Sequence, residues 1–132
     1  MSFAYFQNKV VNVQISDPAG DEILHVFRAP EYMTLVKAYA SVTTAMGTSK
    51  GAKVRLLNYG TAGTAVGGTV TNELGGSAAG NDFATAAVPV EFTISNGALD
   101  SGEWLVLNID EEGDWQGGLM SLQMEFRPGK SA

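Results

Sequence analysis

The residues able to do chemistry are few, and they are scattered. His25 is the single histidine and there is no cysteine. That excludes thiolate metal sites, disulfides and a cysteine nucleophile, and leaves no cluster of imidazoles for zinc. A Ser-His-Asp arrangement would have to use His25, which alternates with Leu24 and Val26 in a strand-like run. No Gly-x-Ser-x-Gly elbow accompanies it. His25 is therefore read as a partly buried strand histidine or an interface residue, not as a base.

The densest carboxylates are Asp110, Glu111, Glu112 and Asp114. Hard cations take several oxygen ligands, so Asp110, Glu112 and Asp114 are the residues that would carry such a site. Their spacing does not fit the twelve-residue helix-loop-helix calcium loop, and a solvated acidic turn is the preferred reading. Asp17, Asp21 and Glu22 form a thinner group of the same kind. Gly75-Gly76-Ser77-Ala78-Ala79-Gly80 looks superficially like a phosphate cradle but lacks the Lys-Ser/Thr of a P-loop, and no helical pattern follows it. Glu103 beside Trp104 reads as a strand start; a glycosidase would need a second acid across a cleft. No catalytic residue, metal or cofactor is expected, and the chain is read as a non-enzyme.

Composition narrows the partners. The net charge is −6 and the eight basic residues are dispersed, which argues against nucleic acid. No apolar run approaches the roughly 18 residues of a membrane helix, and residues 1–9 lack the basic and apolar regions of a signal peptide. The expectation is a protein made and kept in a cytoplasm until assembly or release. At 132 residues and 45% apolar content the chain suits one domain that buries about two-thirds of its surface without staples. The expected division is an N-terminal arm over 1–9 and one domain over 10–132.

The elements that must position these residues follow period two. Val11, Val13 and Ile15 face one way. Ile23, His25 and Phe27 oppose Leu24, Val26 and Arg28. Val36, Ala38, Ala40 and Val42 oppose Lys37, Tyr39 and Ser41, and Val54 and Leu56 oppose Arg55, Leu57 and Tyr59. Val88, Val90, Phe92 and Ile94 share a face, and Asn96-Gly97 marks a turn. Leu105, Leu107 and Ile109 oppose Trp104, Val106 and Asn108; Met120, Leu122, Met124 and Phe126 are the cleanest inward row. Residues 60–80 are rich in Gly, Thr and Ala and read as loop with a short edge strand at Thr69-Val70-Thr71. No helical stripe occurs. The pattern predicts an all-β protein, an antiparallel β-sandwich or jelly roll of about eight strands.

Contact, not chemistry, is then the expected work. Phe3, Tyr5 and Phe6 in the arm, the loop of residues 60–80 and the acidic turn at 110–114 are where it is sought.

The run Phe27-Arg28-Ala29-Pro30, the long strand Met33-Thr34-Leu35-Val36-Lys37-Ala38-Tyr39-Ala40, Thr48, and Val54-Arg55-Leu56-Leu57-Asn58-Tyr59-Gly60 form a familiar series. Phe92-Thr93-Ile94, Asp100-Ser101-Gly102-Glu103-Trp104-Leu105-Val106-Leu107 and Glu112-Gly113 continue it. Over residues 22–127 the chain resembles small phage virion proteins: jelly-roll capsid decoration, or cement, proteins and the related head domains of short fibres. The resemblance implies a homotrimer on the outer capsid surface, with the major capsid protein as partner and the virion as location. It carries over no catalytic residue. Under it Phe3, Tyr5, Phe6, Tyr39, Tyr59 and Trp115 are the interface candidates, because aromatics dominate interface hot spots. The alternative is a receptor-binding fibre head, in which Trp115 and Tyr32 would stack on a glycan.

Overall fold

Ten strands and no helix make up the described part of the chain, which in this computed structural model comprises residues 8–16, 22–45, 52–64, 67–75, 82–83, 85–111 and 118–129. The strands are β1 (Lys9–Ile15), β2 (Glu22–Arg28), β3 (Met33–Val42), β4 (Ala52–Asn58), β5 (Gly68–Thr69), β6 (Leu74–Gly75), β7 (Val90–Glu91), β8 (Ala98–Leu99), β9 (Trp104–Glu111) and β10 (Met120–Pro128). They form two antiparallel sheets. One runs β1-β10-β3-β7, with β8 also on β3; the other runs β2-β9-β4-β5, with β6 also on β4.

The ten reduce to eight. Both β5 and β6 pair β4, and both β7 and β8 pair β3, so each couple is one interrupted edge strand. Numbered that way, the sheets read 1-8-3-6 and 2-7-4-5. Every connection crosses between sheets except the one leaving β4. This is a jelly roll, as the alternation predicts.

The core lies between the sheets. Met120, Leu122, Met124 and Phe126 of β10, Leu105, Leu107 and Ile109 of β9, and Val54 and Leu56 of β4 are fully buried in one cluster with Leu35, Ala38 and Ala40. All of these except Leu35 are positions that period two assigns inward.

Three assignments differ, each for a local reason. In β2, Val26 is an extra residue against β9, where the pairing steps from His25↔Val106 to Phe27↔Leu105. This bulge turns Phe27 inward while Ile23 and His25 stay outside. In β3, Val36 is the extra residue between Leu35↔Phe126 and Lys37↔Glu125, so Leu35 and not Val36 joins the inward row. The strand expected over 87–95 is only Val90–Glu91. Pro89 cannot donate a ladder bond, Ala87 has φ 63°, and Val88 is exposed.

In the segment 60–80 the expected edge strand at Thr69-Val70-Thr71 is β5 at Gly68–Thr69, and β6 at Leu74–Gly75 adds a second piece of sheet edge where loop is expected.

Candidate functional site

The outer face of the β2-β9-β4 sheet carries a second, smaller cluster. Leu57, Tyr59 and Val106 are buried there with Trp104 packed against them. Sequence alternation places these residues away from the main core, and the structure agrees. Their burial comes from a turn over residues 60–64. Asn58 Oδ1 accepts from the Gly60 amide at 2.8 Å, and the Gly67 amide donates to Asn58 O at 2.6 Å, folding the segment back on β4.

His25 fastens that turn. Its Nε2 lies 2.7 Å from the Gly63 carbonyl oxygen, so Nε2 carries the proton and donates. Its ring meets Trp104 and Tyr59 edge-on, with centroids 5.2 and 6.2 Å away. Gly63 has φ +69° and lies so close that an added Cβ would stand 2.8 Å from Trp104 Cδ1. An imidazole held this way anchors a loop.

Tyr59 was expected on an exposed face and is 8% exposed, because the chain's own turn covers it. Tyr39 is half-buried on the outer face of the other sheet. There it stands in the row Asn12–Gln123–Tyr39–Glu91, beside the row Gln14–Ser121–Ser41. These two rows are amides and hydroxyls beside Tyr39, with Glu91 their one charge; the next row, Val10–Glu125–Lys37, adds an ion of each sign. Tyr32, at 56% exposed, sits where the Gly129 amide donates to its carbonyl.

Asp110 is exposed near the end of β9, opposite Lys53 of β4. Among the described residues no three His, Asp or Glu side chains form a group that could hold a metal ion. Phe3, Tyr5, Phe6, Glu112, Asp114 and Trp115 lie outside the described residues.

Sequence reasoning missed the two seams of the sandwich. At one, Thr71 bridges Ile94 and joins the sheets. At the other, a hollow of about 360 Å³ opens between β1 and β2, lined in part by Val13, Leu24 and Val26. Only pairing between strands reveals a seam; neither strand's own alternation carries it.

No family model matches the chain, and no curated protein matches it. A solved chain described as "Capsid of Ralstonia phage GP4" aligns over 95% of this chain and 86% of its own length, with a TM-score of 0.64 and 15% identity. The two chains share a fold. At that identity the likeness is one of backbone architecture, extending over nearly the whole jelly roll.

Proposed function

We propose that the chain is a phage capsid decoration protein, which binds the outer surface of the head through the major capsid protein and stabilises it. The observation that supports this reading most is the shared fold with a chain of a phage capsid, spanning 95% of the residues. The virion-protein motifs of residues 22–127 point the same way.

The mechanism is mass action. A protein that binds only the assembled shell lowers the shell's free energy by RT ln(1 + [L]/Kd), about 2.7 kcal/mol per site at a hundredfold excess over Kd. Assembly as a homotrimer multiplies these contacts through avidity. The proposed contact residues are Phe3, Tyr5 and Phe6 of the 1–9 arm, Tyr39 on the amide-rich face, and Trp115. Tyr59 supports the 60–64 turn instead.

The test is a comparison of heads with and without the protein. Virions lacking it should lose their DNA at lower temperature, and adding purified protein back should restore resistance and place density across the shell. Equal robustness with and without it would refute cementing. Density confined to a tail tip, with binding on a glycan array, would establish the fibre-head alternative.

A further inference from the structure

The sandwich is closed along one seam and open along the other. At the closed seam Thr71 pairs Ile94, the Asn72 amide donates to Thr93 O at 3.0 Å, and the Ser95 amide donates to Val70 O at 2.9 Å. The two sheets are thereby hydrogen-bonded to each other. At the open seam β1 and β2 are the terminal strands of their sheets, and each is paired on one side only among the described residues. The hollow between them is lined by Val13, Ile15, Leu24 and Val26, together with Gln14 and Glu22. Ile15 is buried, but Val13, Leu24 and Val26 touch the main core while remaining half-exposed. A bare strand edge beside uncovered apolar side chains is a surface that accepts another strand.

We propose that residues 1–7 of a second copy complete this seam, adding to the free edge of β1 as an extra strand and placing aromatic side chains over the hollow. Three features select that occupant. The segment Met1-Ser2-Phe3-Ala4-Tyr5-Phe6-Gln7 is uncharged in its side chains, and Phe3 and Tyr5 share a strand face, alternating with Ala4 and Phe6. Seven extended residues reach about 23 Å, the length of a strand such as β1, which has seven residues. Residues 1–9 contain no glycine, aspartate or proline and one asparagine, so they lack the residue pair that a tight hairpin back onto the same edge requires. The segment enters directly at β1, so a copy that receives an arm on β1 also has an arm to give.

The proposal gives Phe3 and Tyr5 to contact between copies in place of contact with the shell; the decoration reading rests on the shared fold, so failure here would leave that reading and its shell contacts standing. The absence of cysteine makes every introduced thiol unique. Chains carrying Ala4→Cys or Phe6→Cys, which alternate to the side opposite Phe3 and Tyr5, are mixed pairwise with chains carrying Asn12→Cys or Gln14→Cys, both exposed positions on the face of β1 opposite Val13 and Ile15, and oxidised. At least one of the four mixtures should give a disulfide-linked heterodimer, because neighbouring strands bring Cα atoms within disulfide range. Absence of heterodimer in all four overturns the proposal. So does linkage found only within a single chain that bears both cysteines, which would show the arm folded on its own edge. Sedimentation of the full chain should give an oligomer, and a variant lacking residues 1–7 should fall to the mass of one chain with an unchanged strand signal in circular dichroism. A full chain that sediments as a monomer, or a shortened chain that keeps the full chain's association, overturns it equally.

Discussion

The hydroxyl of Thr71 accepts a hydrogen bond from the Leu56 amide at 2.9 Å, in a part of the molecule where both residues are buried. Leu56 lies on β4 at the gap between β5 and β6, where the edge strand turns aside to bridge Ile94. Leaving the ladder would strand the Leu56 amide. Thr71 replaces the lost backbone acceptor with a side chain and passes its own proton to Asn72 O at 2.9 Å.

Thr71→Val preserves shape and removes that acceptor. An orphaned buried amide costs about 1–3 kcal/mol, so urea unfolding of the valine variant should shift to a lower midpoint with an unchanged slope. Thr71→Ser should lose less, because the hydroxyl remains. Equal stability of the valine variant and the parent would show that the bond does not matter.

Two glycines should respond oppositely to alanine. Gly97 accepts from the Leu35 amide at 2.8 Å, and a Cβ there would overlap the Leu35 carbonyl oxygen, a backbone atom with no room to yield. Gly97→Ala should cost about 1–3 kcal/mol, as overpacking does, and separate β8 from β3. Gly68 has nothing within 4 Å of its added Cβ. Gly68→Ala should leave stability unchanged or raise it by up to about 1 kcal/mol, through loss of unfolded-chain freedom. Thermal unfolding of the pair decides the matter; a neutral Gly97→Ala would contradict the contact.

The 60–64 turn should depend on His25 without the fold depending on the turn. His25→Phe keeps a ring against Trp104 but loses the bond to Gly63 O, with an expected loss of about 0.5–1.5 kcal/mol. Hydrogen exchange should quicken in residues 60–64 and stay slow in β9 and β10. Exchange that quickens in every strand alike would mean that the turn belongs to the global folding unit.

Much of this fold is legible in the sequence, and the illegible parts have physical causes. The rows Leu105-Leu107-Ile109 and Met120-Leu122-Met124-Phe126 read correctly because the extra residue of each bulge lies on the partner strand, so β9 and β10 alternate without interruption while facing the core. β10 is paired on both sides as well. The extra residues Val26 and Val36 leave no mark in composition, since a bulge is chosen by the partner strand's register. The candidate site was harder to read still. Tyr59 faces away from the main core, and alternation alone cannot tell that residues 60–64 return to cover it. The hollow at β1 and β2 depends on which strands end their sheets, and that is a property of topology.

The bulge at Val26 lets His25 face outward and Phe27 face inward although only one residue separates them. It turns Phe27 inward, where its ring stacks on Phe126 with centroids 4.4 Å apart and planes 22° from parallel, linking β2 of one sheet to β10 of the other. Phe126 is fully buried and Phe27 only half so. Phe126→Ala should therefore cost about 3–5 kcal/mol, the usual range for a buried phenylalanine, and Phe27→Ala less. A double-mutant cycle should return a coupling of about 0.5–1.5 kcal/mol beyond the lost area. Deleting Val26 tests the geometry separately from the rings. Without the extra residue Phe27 follows His25 directly and alternation still places it inward, opposite Leu105. The deletion should therefore cost less than Phe126→Ala and keep the coupling between Phe27 and Phe126. Loss of that coupling in the deletion variant would show that the bulge is needed to seat the Phe27 ring.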